Sequence, residues 1–330
     1  MNTKTFIPFK SERLKDTILS ERYFFMGVAI IMIVLFHLGY GYKVQPMKAL
    51  FSRGFYGVDI FLFFSALGCS FSYNKNKLST FYGNRLHRVL PLFYVLVLFR
   101  IYWEYYSGKS INVLDVLATI TGLSYFRILG GFWVDWYLCA LLLLYALFPS
   151  FYKFIRKYET WGVICVSVVS TMLCFSLPMA WDHYCLIGRL PIFALGIWFY
   201  LKRNSMTSTD VSVLKILVTY GLLLFAFDLL IPNDRTRFLA PAFVAPLLIL
   251  AITLLYQYLS LKSEQVVALI NFIGKHSLEI YVANCITGVV CHKGLELTGY
   301  GGVMIEFVWI AALSVILFWV NKMVLSPLKV

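Results

Sequence analysis

Residues 21–41, ERYFFMGVAIIMIVLFHLGYG, decide how the rest of the chain is read. A run of about 20 predominantly apolar residues is what a bilayer core demands of a helix, so the stretch predicts a first transmembrane span rather than a soluble core helix. Arg22 opens it and His37 stands near its end. At about 100° and 1.5 Å per residue, the two lie roughly 60° apart around the axis and about 22 Å apart along it. One helix thus holds a cation and a titratable base that point in similar directions. An ionisable side chain at membrane depth costs free energy unless it faces the bundle interior or a wet cavity. On this helix alone two readings of His37 stand: a functional base, and a ring that merely hydrogen-bonds a neighbouring helix.

The same pattern recurs from end to end. With 60% hydrophobic and 14% charged residues, the chain lies far from soluble domains, in which about a quarter of residues are charged. The expectation is an all-α fold, a polytopic membrane bundle of about ten transmembrane helices. The spans fall at about 23–42, 54–73, 89–106, 132–149, 161–178, 186–201, 211–231, 238–258, 277–293 and 303–321. Residues 111–125 are expected to form a surface helix, and 181–183 a short polar turn. The organisation read from this is a tail at 1–22, a single transmembrane domain at 23–325 and a second tail at 326–330. The tail before the first span carries no small-residue cleavage site, so no removable signal peptide is expected.

The net charge of +13 is explained by topology. With both termini cytoplasmic, 19 of the 29 Lys and Arg fall on the cytoplasmic side, as orientation by loop charge requires. The bases sit in clusters between spans, so no nucleic-acid partner is expected; the partner implied is membrane lipid. Almost all of the seven cysteines lie inside apolar segments. They form no CxxC pair and no His/Cys cluster at zinc spacing, so no metal is expected.

Arg85 and Arg88, three residues apart, project from one side of a helix at the expected start of the third span. A helix N-terminus offers N–H groups and positive partial charge, so the pair suits a phosphate-bearing ligand. Flanking charge that sets orientation is the plainer explanation, and it suffices for Lys75 and Lys77.

Five stretches then occur in order: 54–70 (GFYGVDIFLFFSALGCS), 81–94 (FYGNRLHRVLPLFY), 136–149 (WYLCALLLLYALFP), 188–196 (GRLPIFALG) and 272–284 (FIGKHSLEIYVAN). In sequence and spacing they resemble the acyltransferase-3 family, bacterial integral-membrane proteins that acylate surface glycans. The resemblance implies acyl-CoA binding from the cytoplasm, acetyl-CoA being a donor substrate and no cofactor being needed. It implies an acceptor on the far side of the bacterial cytoplasmic (inner) membrane, a surface glycan or polyprenyl-linked sugar. The family's first helix carries an arginine, ten residues, then a histidine. His37 matches the histidine, but Met26 occupies the arginine position, and Arg22 lies one turn earlier on nearly the same face. The family's RxxR pair falls on Arg85 and Arg88, which with Arg22 form the implied acyl-CoA site.

Transfer from a thioester to a hydroxyl needs a base for the hydroxyl proton and a donor for the oxyanion. His37 is the expected base. Asp59 is expected to orient it, with a merely solvated carboxylate as the alternative. Ser65 reads either as a nucleophile or as a small packing residue. Arg189, Glu279 and Asn284 are expected in the acceptor cavity, Asn284 where the family often has histidine. Trp133 and Trp136 read as sugar-stacking rings or as an interfacial belt. His87 is placed near phosphate, and His183, His276 and His292 in loops or interfaces. A rival class is a proton-coupled glycan or small-solute transporter with His37, Asp59 and Glu279 as its relay.

Overall fold

The computed structural model describes residues 11–43, 45–126, 130–132 and 134–325. No strand occurs among them. Inside a bilayer every backbone N–H and C=O must find an internal partner, which long apolar segments achieve as helices. The helices are α1 (Ser11–Ser20), α2 (Arg22–Gly41), α3 (Met47–Phe51), α4 (Gly57–Lys75), α5 (Leu78–Tyr106), α6 (Val113–Ile120) and α7 (Trp136–Ser176). There follow α8 (Trp181–Ile187), α9 (Leu190–Lys202), α10 (Ser208–Leu230), α11 (Asp234–Lys262), α12 (Glu264–Lys275), α13 (Ser277–Val289) and α14 (Gly299–Leu325).

Among the described residues, eight segments are long and apolar enough to cross a membrane. The 41 residues of α7 would extend about 61 Å as one rod, twice the hydrocarbon thickness of about 30 Å. Glu159, at φ 49° and ψ −124°, breaks it, so α7 serves as two passes. The α12 and α13 segments meet at a 66° bend. With that bent pair counted as one span the described residues supply up to nine candidate spans, and the kink in α7 accounts for the difference from the ten expected.

Several local expectations are corrected. Residues 181–183 belong to α8, which starts once Ala180 turns extended, and Asp182 is buried in its first turn. The N-terminus of α5 is Leu78, not the arginine pair: Lys77 is extended at φ −62° and ψ 155°, so the helix starts two turns before Arg85. The amide groups of Arg85 and Arg88 are therefore inside the helix, not at its open end. The tail before Arg22 contains α1, and α12 was not foreseen because its apolar face alternates with polar residues over only 12 positions. The surface helix expected in 111–125 is α6, where the Asn112 side chain accepts from the Asp115 amide at 2.8 Å.

Contacts divide the chain into two compact units. The first comprises the described residues of Met1–Ile33, together with Gly54–Lys75 and Leu147–Lys275. Within it the start of α2 crosses α12 at two glycines: a Cβ on Gly274 would strike the Tyr23 carbonyl, and one on Gly27 the Ile270 carbonyl. Small residues let helix backbones approach this closely in a membrane. Gly274→Val is expected to cost about 1–3 kcal/mol by overpacking, read as a lower thermal midpoint in detergent; an unchanged midpoint would show that the crossing is dispensable. The same unit ties Lys202 Nζ to Glu159 Oε2 at 2.5 Å and to Asp210 Oδ2 at 3.7 Å. Asp210 also completes a capping box with Thr207 at the start of α10.

The second unit comprises the described residues of Val34–Arg53, Asn76–Ala146 and His276–Val330. Here α13 packs against α14 and α5. Asp135 fixes the start of α7, accepting from the Leu138 amide at 2.8 Å and from the Tyr281 hydroxyl at 2.9 Å. After Val289 the chain forms a π-helical turn, Val290–Gly294. Such turns are rare and gather at functional sites.

Candidate active site

The last part of α2 and the middle of α13 both lie in the second unit. They bring His37 Nδ1 to within 2.6 Å of the Asn284 side-chain nitrogen. His37 is half-buried and Asn284 is 2% exposed, so the amide is committed to this neighbour. In this orientation Asn284 Oδ1 has no hydrogen-bond partner among the described residues. Turning the amide half a revolution exchanges its two ends and lets Oδ1 accept from an Nδ1–H. That second arrangement satisfies the orphaned oxygen and leaves Nε2 as the ring's basic nitrogen. His292 lies within electrostatic reach of His37.

Asp59, expected to orient His37, has a charged partner within its own unit. Its carboxylate sits in the first turn of α4 in the first unit, and Arg189 Nε stands 3.3 Å from Oδ2. Arg189 also donates through Nη1 to the Cys185 carbonyl at 3.2 Å. The two side chains are 0% and 1% exposed, a buried ion pair. Within the second unit the imidazole's partner is the Asn284 amide. Ser65 is buried on the same α4. Arg22 lies at the start of α2 in the same unit, its guanidinium over Gly68 of α4, where a Cβ would fall 3.2 Å from Nη1. Met26 is buried at 5% exposure.

Arg85 and Arg88 are both half-buried on α5, while His87 between them is exposed. Arg85 lies over the Phe81 ring at 5.9 Å. Pro91, inside α5, has no N–H to give, so the His87 carbonyl one turn back is left for another donor. Trp136 is half-buried as the first residue of α7, and Trp133 lies outside the described residues. Glu279 is 8% exposed and accepts from the Asn321 amide at 2.8 Å. His276 stacks edge-on with Phe318 at 4.9 Å, as an interface ring would. Of the three residues named for a carrier's relay, His37 and Glu279 in the second unit contact Asn284 and Asn321, and Asp59 in the first contacts Arg189. Among the described residues no group of three metal-ligating side chains occurs.

Sequence reasoning missed Glu306, which is 1% exposed in α14 and stands 3.2 Å from His292 Nε2. The signal was available, since a lone carboxylate within GGVMIEFVWIAAL is an ionisable group in an apolar run. It also missed Asp135, which caps α7 through the Leu138 amide and accepts from the Tyr281 hydroxyl 146 residues away.

Two comparisons, with curated proteins and with solved structures, give no match. The family model described as an acyltransferase domain, of the acyltransferase-3 type, matches residues 26–321. The matched stretch begins at Met26, so Arg22 stands outside it, while His37, Asp59, the Arg85/Arg88 pair, Arg189 and Asn284 stand within. A match over nearly the whole chain, with the helices long enough to span a bilayer many times, leads to one conclusion: the chain belongs to the acyltransferase-3 family and is a multi-pass membrane acyltransferase.

Proposed function

We propose that the chain moves an acyl group, acetyl in the simplest case, from cytoplasmic acyl-CoA to a sugar hydroxyl. The acceptor is a surface polysaccharide or lipid-linked glycan on the far side of the bacterial inner membrane. The observation that carries this is the His37–Asn284 contact at 2.6 Å, an imidazole held by a neutral amide at membrane depth. With Asn284 Oδ1 accepting from Nδ1–H, the Nε2 lone pair faces away from the amide and can take a proton. The acceptor hydroxyl gives its proton to Nε2 as its oxygen attacks the thioester carbonyl. The C–O bond forms, the C–S bond breaks, and the thiolate leaves with the proton returned by the imidazolium. The proton therefore moves from alcohol to thiol, and the ring ends as it began.

Arg85 and Arg88 supply the donor end of this scheme. Their guanidinium groups share one side of α5 and match phosphate oxygens in charge and geometry. Each of Arg85→Ala and Arg88→Ala is expected to raise the KM for acetyl-CoA about tenfold or more, the worth of a charge-assisted hydrogen bond. The check is acetyl-CoA-dependent thiol release by the full chain in detergent. A donor KM equal to that of the unaltered protein in both variants would leave the pair with an orienting role only.

A further inference from the structure

Away from the transfer site, the first unit holds a cavity of about 340 Å³, within the range of about 300–1,000 Å³ usual for small-molecule sites. Ser150, Phe151 and Phe154 of the first half of α7, Cys165 and Val169 of its second half, and Leu190 at the start of α9 line it. The two halves of α7 meet beside the kink at Gly162, where a Cβ would come within 3.2 Å of the Ile155 side chain. Cys165 is exposed and Val169 is 47% exposed, so the cavity is a groove open on the surface of this unit. Its walls are rings and branched aliphatic side chains, a lining that takes hydrocarbon.

The groove runs toward a basic end. At about 100° per residue, Lys157 lies about 20° around the α7 axis from Ser150 and Lys153 about 60°, so both prolong the groove face. Arg156 falls about 160° from Phe154, on the other face of the helix. All three bases are exposed. Among the described residues neither lysine is ion-paired. The Lys157 ammonium stands 5.1 Å from the Tyr158 ring, and the carboxylates of Glu159 and Asp210 belong to Lys202. Trp161, 75% exposed, lies one turn before Cys165 on the same face, as a ring at headgroup level would. Lys202 and Arg203 close α9 at this same end, and clustered loop charge of this sign marks the cytoplasmic face.

We infer that the groove binds an anionic phospholipid of the cytoplasmic leaflet, one acyl chain lying along Phe151, Phe154, Val169 and Leu190 and the phosphate resting between Lys153 and Lys157. Charge complementarity carries this: an apolar channel that ends in two uncompensated ammonium groups matches a molecule that joins hydrocarbon to a phosphate. A zwitterionic headgroup brings an ammonium of its own, which the lysines repel, and a free phosphate has no tail for the groove. Bases that only set orientation need neither a groove beside them nor a shared helix face. The bound chain touches both halves of α7 and so fastens them across the break at Glu159.

The test titrates the full chain in detergent with phosphatidylglycerol and counts bound lipid by native mass spectrometry. Phosphatidylethanolamine with the same tails and inorganic phosphate are the other probes. Lys153→Gln/Lys157→Gln is expected to weaken phosphatidylglycerol binding about 25-fold, about fivefold for each base near a charged headgroup. Arg156→Gln, on the other face, is expected to leave binding unchanged. Val169→Trp, which fills the groove without altering charge, is expected to weaken binding severalfold; if it fails to fold, the exposed lysine pair decides. Unchanged affinity in the lysine double variant or in folded Val169→Trp overturns the site. So does a loss in Arg156→Gln as large as that of the lysine pair, or binding of phosphatidylethanolamine or inorganic phosphate as tight as that of phosphatidylglycerol.

Discussion

Replacing His37 by alanine is expected to lower kcat for acyl transfer by about 10²–10⁴-fold, the usual worth of a positioned general base. The loss follows from the contact that defines the site: Asn284 fixes the ring at 2.6 Å, and no other described side chain is seen holding a base in that place. Stability should fall far less. Removing the ring leaves the buried Asn284 amide without its partner, a cost of about 1–3 kcal/mol. Labelled acetyl-CoA and the glycan acceptor give the rate, and a thermal melt in the same detergent gives the stability. A rate loss no larger than the stability loss explains would make His37 a structural ring. Asn284→Ala should lie between, since it removes the preference for the productive tautomer but keeps the imidazole.

The second large effect concerns the Asp59–Arg189 pair. Arg189→Leu leaves a fully buried carboxylate without its countercharge, and breaking such a pair from one side costs about 3–5 kcal/mol. Asp59 Oδ1 lacks a hydrogen-bond partner among the described residues, so the carboxylate depends on Arg189. The variant is expected to lose most of its folded population in detergent, seen as a large drop in monodisperse protein and thermal midpoint. The double variant Asp59→Leu/Arg189→Leu removes both charges and should recover much of that loss, because well-packed apolar groups replace buried pairs at little cost. A single variant as stable as the unaltered protein would place the pair in water rather than in the helix packing. Two guanidinium groups, those of Arg189 and Arg237, lie within about 6 Å of both the Phe55 and Phe238 rings, which ties the pair to the start of α11.

Much of this architecture was legible in the sequence because the bilayer imposes a length on every span. The Glu21 to Gly41 stretch reads as one helix for that reason, and it is one from Arg22. The family signatures carried the identity, and composition alone did not. What stayed hidden was set by partners far apart in the chain. Asp59 is matched to Arg189 130 residues on, and His37 to Asn284 247 residues on, separations that no local periodicity reports. The start of α5 was misplaced for a different reason. Basic residues flank spans whether or not the helix has already begun, so Arg85 marks the apolar boundary and Leu78 marks the helix boundary. Likewise α8 was read as a turn because Asp182 and His183 are polar, although burial of Asp182 gives that polarity a place inside the helix packing.

The central claim is that an imidazole on the first long helix performs the transfer chemistry of this membrane acyltransferase. The most direct measurement is the mass spectrum of surface glycan from cells making the unaltered chain and cells making His37→Ala at equal membrane abundance. Acyl mass increments on the glycan of the first and none on that of the second are the predicted result. Equal acyl content in both would contradict the account.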